Sequence, residues 1–216
     1  MLGVATASAQ PIFLSPMAES EFHQVISQTK FDLSRRWENE GVSQGFEDNI
    51  ILALYYLKEP NQEPVKKTPL KHEEIEKLAP DDFSVEFELK PGQAFAFHNN
   101  ILPEYQNRVV KTMESQFMTY QGYRVVSGLG GNGVCHLASL INWAASEAGL
   151  AVEARADHSF ARIEGVPREY WTSIRYSQSG GNSQNQNLYI VNNQDFTVRF
   201  VFKRMGNELE LRLEKI

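Results

Sequence analysis

The chain has 216 residues, 42% of them hydrophobic, and sets 21 Lys and Arg against 27 Asp and Glu for a formal net charge of -6. That composition supplies a real apolar core for one ordinary domain with an appendage, or for two small domains, and excludes a disordered chain. No basic cluster exceeds Lys66-Lys67 and no stretch approaches the roughly 18 to 20 apolar residues of a spanning helix, so neither a nucleic-acid partner nor a transmembrane span is expected.

The first residues, "MLGVATASAQP", carry the small-residue pattern Ala7-Ser8-Ala9 of a signal-peptidase cut without the basic and long apolar parts of an export signal. Residues 1–14 are either a signal remnant or a disordered Ala/Ser-rich tail. Ser15-Pro16 reads as an N-cap with proline at the first helical position and predicts a helix to about Ile26. A second helix is predicted in "GFEDNIILALYYLKEP", where Ile50, Ile51, Leu54 and Leu57 recur at helical spacing until Pro60. The proline-bearing "EPNQEPVKKTP" reads as a linker, and a short charged helix follows from Thr68-Pro69 to Leu78. Residues 15–80 are thus a helical N-terminal region, with a boundary near residue 80.

Beyond it the pattern turns to strands. "FSVEFELKPGQAFAF" alternates around Pro91-Gly92 and suits a β-hairpin or meander. At the other end, Phe196, Val198, Phe200 and Phe202 share a face, and a Gly206-Asn207 turn leads to Leu209, Leu211 and Leu213, which predicts a hairpin with one buried face. The polar "SQSGGNSQNQN" is a loop before the strand "LYIVN". Residues 81–216 therefore read as an α+β domain, an antiparallel sheet packed on one principal helix.

That helix begins at the only cysteine in the chain, in "GLGGNGVCHLASLINWAASEAGL". Gly130, Gly131 and Gly133 permit a tight turn before it, and Gly149 ends it. Cys135 falls in the first helical turn, where N–H groups and the helix dipole favour a thiolate and could bind an oxyanion. At 100° per residue Leu137, Ile141, Ala144 and Ala148 form an apolar stripe, and Cys135, Ser139, Asn142 and Ser146 a polar one. Cys135 is thereby turned away from the greasy face, although small polar residues also suit close packing.

His158 follows on "LAVEARADHSFARI", which suggests strands around an Ala156-Asp157 turn. A cysteine at a helix N-terminus with a later histidine is the layout in which imidazole activates a thiol for acyl transfer. His136 points about 100° away from Cys135 around the helix and suits pocket lining. His23 and His72 read as surface residues, and His98 as a satisfied β-edge histidine.

The run "GGNGVCHLASLINWAASEAGLAVEARADHSF" resembles the VanW domain, whose signature is GGGxCQ, a helix rich in small residues, A-G-L, then R-x-x-H-S. "LKPGQAFAFHNN" and "QGYRVVSG" extend the similarity over most of residues 84 to 216. His136 stands where the family has Gln, Asn132 interrupts the glycine triplet, and Trp171 occupies the family's usual acidic position. The resemblance implies an exported cell-envelope protein, a cysteine-dependent L,D-transpeptidase acting on peptidoglycan stem peptides with no cofactor or metal. Cys135 would be the nucleophile and His158 the base, with Arg155, Ser159, His136, Gly131, Gly133 and Ser139 around the substrate. Arg155 is suited to a substrate carboxylate or, equally, to a surface ion pair. Two other readings stand beside this one. The cysteine helix and histidine strand also look like those of transglutaminase-like or papain-like amidases, with Asp195 or Asn187 as a third residue. A non-catalytic cell-wall-binding module is the third.

Overall fold

The structure, a computed structural model, describes residues 23–34, 39–59, 69–126, 129–130, 132–179 and 181–216. In chain order its elements are β1 (Gln24–Asp32), α1 (Glu40–Lys58), α2 (His72–Leu78), β2 (Ser84–Leu89), β3 (Ala94–Ala96), β4 (Val109–Lys111), β5 (Val125–Val126), β6 (Leu129–Gly130), α3 (Val134–Glu147), β7 (Ala151–Ala154), β8 (Leu188–Val191), β9 (Val198–Met205) and β10 (Glu208–Lys215). The possible signal remnant, most of the first predicted helix, the proline-bearing linker and Gly131 lie outside the described residues.

Two four-stranded sheets carry the α+β fold. The first has the order β1-β10-β9-β2 and is antiparallel throughout. The second, β4-β3-β8-β7, is antiparallel except for the β3–β4 pair. α3 packs against β1 and β10 of the first sheet and β7 and β8 of the second, while α1 packs on α2, α3 and β2. The predicted C-terminal hairpin forms as β9–β10, and Val198, Phe200, Leu209, Leu211 and Leu213 are wholly buried on one face of it. Phe87 stacks on Phe200 at 4.7 Å and carries that apolar face across to β2.

Three local expectations are corrected. Residues 24–26 lie in β1 and not in a helix: Ser27, Thr29 and Phe31 are buried at period two, opposite Leu213, Leu211 and Leu209 of β10. β2 and β3 do not form a hairpin, because Pro91-Gly92 carries the chain from one sheet to the other. β2 pairs with β9, and β3 with β4 and β8. Consecutive burial of Ala94, Phe95 and Ala96 suits a strand covered on both faces, whose neighbours are not its sequence neighbours. Past β7 the expected second strand is only an isolated bridge between Asp157 and Thr172.

The two predicted helices of the N-terminal region that fall on described residues form with recognisable ends. Asn39 caps α1, its side-chain oxygen accepting from the Val42 N–H at 3.2 Å, and Glu74 reaches back to the Lys71 N–H at 3.0 Å to start α2. Residues on both sides of position 80 share one buried apolar cluster, in which Ile50, Leu54 and Ile75 pack with Leu137, Ile141 and Phe200.

Candidate functional site

The site begins with how α1 meets α3. Asn49, wholly buried on α1, donates to the carbonyls of Arg124 at 3.0 Å and Asn132 at 2.8 Å and accepts the Arg124 N–H at 2.8 Å. One side chain thus clamps both ends of the glycine-rich segment that leads into α3. Neighbouring Asp48, also wholly buried, holds Arg124 Nη1 at 2.6 Å and His72 Nδ1 at 2.7 Å. Burial works against charge on His72, but the Asp48 hydrogen bond and the surrounding carboxylates outweigh it, and its pKa is raised.

Gly133 is the N-cap of α3, at φ +101°. A Cβ there would lie 2.6 Å from the Phe46 carbonyl oxygen and 3.2 Å from Ile50 Cγ1, so only glycine lets α1 approach this closely. Gly133→Ala is expected to cost about 2–3 kcal/mol from the combined clash and backbone strain. Urea denaturation measures it, and an unchanged midpoint refutes the close approach. Among the described residues no side chain caps α3, and its first turn forms part of a cleft wall.

A cleft of about 590 Å³ opens over this turn, lined by Phe46 of α1, Gln116, Phe117 and Met118, the start of α3 from Asn132 to His136, His158, Phe160 and Ala161, and the 173–176 segment with Gln186. Cys135 sits within it, partly exposed. Its sulfur accepts the Ile174 N–H at 3.3 Å and lies 3.7 Å from the Ile174 carbonyl, to which the thiol donates. Burial pushes the thiol above its ordinary range, and the contacts with Ile174 and Ser173 only partly offset that. The sequence suggested a thiolate favoured by the helix end; burial of the thiol reverses the direction.

His158 is buried beside it, with Nδ1 donating to the Ala161 carbonyl at 3.0 Å. That bond fixes the tautomer and leaves Nε2 as the unprotonated nitrogen. Burial lowers the His158 pKa, so the ring is neutral at pH 7. Phe160, 69% exposed, packs over it at 4.1 Å, and the His136 ring meets it edge to face at 6.1 Å. The imidazole is oriented by a backbone carbonyl and not by a carboxylate. Asn187 is committed to His98, Asn100 and Leu188, and Asp157 to Arg168. Trp171 donates its indole N–H to the Val166 carbonyl at 2.9 Å and carries Arg168 over its ring.

Cys135, His136, Gly133 and His158 are therefore brought together, although Cys135 and His158 do not hydrogen-bond to each other. The remaining sequence candidates fall elsewhere. Arg155 does not line the cleft: its guanidinium is held by Glu104 at 2.7 Å, by Asn185 at 3.0 Å and by Glu153. Ser159 is exposed and outside the cleft lining. Ser139 is wholly buried under α3, donating to the Cys135 carbonyl at 2.7 Å and accepting the Thr172 N–H at 3.0 Å. Asn142 donates to the Tyr170 carbonyl at 2.9 Å, so Ser139 and Asn142 of the polar stripe are buried and grip the 170–172 segment.

Sequence reasoning missed several lining or supporting groups. Phe117 holds φ +58°, a conformation that costs a bulky residue about 1–2 kcal/mol. The Gln186 carbonyl accepts both the Arg175 N–H at 3.0 Å and His98 Nε2 at 3.1 Å. His98 is wholly buried, and burial lowers its pKa to about 4, consistent with the satisfied histidine expected.

Fold and cleft together define an α+β protein that gathers one thiol, one oriented imidazole and a glycine-capped helix end at a single opening. A sequence model of the VanW family, described as VanW like protein, matches residues 85–213. The chain belongs to the VanW family, and is thereby a cell-envelope protein associated with vancomycin resistance. No curated protein and no solved structure matches it. No helix among the described residues is long and apolar enough to cross a membrane. The family match begins after α1, yet Phe46 lines the cleft and Asn49 holds its floor.

Proposed function

We propose that this exported envelope protein is a cysteine-dependent acyltransferase acting on peptidoglycan stem peptides. The observation that carries the proposal is the shared cleft in which Cys135, at the first turn of α3, and His158, with Nε2 unprotonated, are both wall residues. The reading requires the thiol to turn from the Ile174 carbonyl toward the imidazole, and such bonds commonly tighten only with substrate. His158 Nε2 takes the thiol proton as the sulfur attacks the donor carbonyl carbon, forming the C–S bond. The first-turn N–H groups of α3 stabilise the oxyanion. The C–N bond to the terminal residue then breaks, and His158 returns the proton to the departing amine. An acceptor amine attacks the thioester carbon and gives its proton to His158; as the new C–N bond forms the C–S bond breaks, and the released sulfur takes the proton back from His158.

Burial supports a base-activated thiol over a resting thiolate–imidazolium pair, since it raises the thiol and lowers the imidazole. The test is mass spectrometry of the protein incubated with a stem tetrapeptide, with and without an acceptor amine. An acyl adduct on Cys135 and an amine-dependent cross-linked product are expected. Hydrolysed peptide alone would make the protein an amidase, and absence of both adduct and product would leave a binding module.

A further inference from the structure

We propose that Arg175 binds the free carboxylate of the residue that leaves the acyl donor, so that the cleft selects a donor with a free C-terminal carboxylate over one whose terminus is blocked. The inference rests on the acyl-transfer reading above and names what selects its donor.

Among the described residues lining the cleft, Arg175 is the one permanent charge; no Asp or Glu is present there. That distribution runs against a chain whose formal net charge is -6, and it makes the cleft attractive to an anion. Arg175 is exposed, and its guanidinium forms no ion pair among the described residues. Arg155 is the contrast, already saturated by Glu104, Glu153 and Asn185.

Placement selects the carboxylate. Arg175 follows directly on Ile174, whose backbone N–H meets the Cys135 sulfur at 3.3 Å, and its own N–H is pinned to the Gln186 carbonyl at 3.0 Å. In a donor whose last amide is attacked, the terminal carboxylate carbon lies roughly 4 Å from the attacked carbon, two bonds beyond the amide nitrogen. Arg175, rooted one residue from the sulfur contact, is the one cation among the described lining residues that can meet a carboxylate at that distance. Phe46, Phe160 and Ile174 supply apolar walls for the side chains on either side, and the planar guanidinium can take both carboxylate oxygens at once.

The test uses the full chain carrying Cys135→Ala, so that binding is read without turnover, and two N-terminally fluorescent stem tetrapeptides, one with a free C-terminal carboxylate and one amidated. Anisotropy titrations are expected to show the acid binding about tenfold tighter than the amide, the size of a charge-assisted contact partly open to water. Adding Arg175→Gln is expected to erase that preference, Arg175→Lys to restore part of it, and Arg155→Gln to leave it intact. If both peptides bind and the preference survives Arg175→Gln, or never existed, the assignment of Arg175 is overturned while the stem-peptide reading stands. If neither peptide binds, both are overturned.

Discussion

Replacing Cys135 with alanine is expected to abolish both the acyl adduct and the cross-linked product, and His158→Gln to slow adduct formation by about 10²- to 10⁴-fold, the usual contribution of a positioned general base. The pH dependence separates this mechanism from a preformed ion pair. Burial lowers the His158 pKa, and the ring must be unprotonated to accept the thiol proton. kcat/KM should therefore hold through neutrality and fall only as pH drops below the ordinary histidine value of about 6.5. Burial raises the thiol, so alkylation of Cys135 by iodoacetamide in the absence of substrate should rise at higher pH than for a free thiol. Rapid labelling in mild acid would reveal a resting thiolate and overturn the base-activated order of events. An acid limb that persists unchanged in His158→Gln would remove His158 from the proton path.

Parts of the fold were legible wherever a single element carried its own periodicity. α3 and the β9–β10 hairpin repeat apolar residues on one face, and both form as read. β1 was misread because its buried face mixes Ser27 and Thr29 with Phe31, and its partner β10 lies at the far end of the chain. The hydroxyls of Ser27 and Thr29 are buried without hydrogen-bond partners among the described residues, which no local pattern would place facing a core. The β2–β3 crossover was hidden for a related reason: a Pro-Gly turn bounds a hairpin or a change of sheet equally well, and only the long-range partners β9 and β8 decide. In the site, Gly133, Cys135, His136 and His158 come from one short run and were found there. Arg155 was not separable from a ligand-binding arginine, since Glu104 and Asn185 reach it from distant loops. Asn49 and Arg175 gave no signal, because what defines each is the segment the fold brings against it.

Arg204→Met is expected to lower stability by about 3 kcal/mol, or roughly 6–12 °C in Tm for a chain of this size. Arg204, on β9, is 4% exposed and ties the sheet to both N-terminal helices. Its guanidinium donates to the two Glu76 oxygens at 3.0 and 2.8 Å, to the Ala79 carbonyl at 2.8 Å, to the Gly206 carbonyl at 3.1 Å and to Glu47 at 3.4 Å. Methionine fills similar volume but leaves two partly buried carboxylates without the guanidinium that joins them, with only the His72 ring, 4.0 Å from Glu76, to offset their charge. Glu76 keeps 27% exposure, which lets water soften the loss and places the estimate at the low end for a broken buried pair. Burial already raises the Glu47 pKa, with the Arg204 charge opposing it, so the substitution raises it further. A carboxyl raised above its unfolded value penalises the fold when ionised, and the penalty disappears once the group is protonated. The deficit relative to wild type should accordingly narrow as pH falls into the carboxylate range. Combining Arg204→Met with Glu47→Gln and Glu76→Gln should recover a substantial part of it at pH 7, since the stranded charges are then gone. Thermal melts of the three proteins at pH 7 and pH 4.5 decide the matter: a Tm for Arg204→Met within 2 °C of wild type at pH 7 would show that β9 and the N-terminal helices are held by their apolar contacts alone.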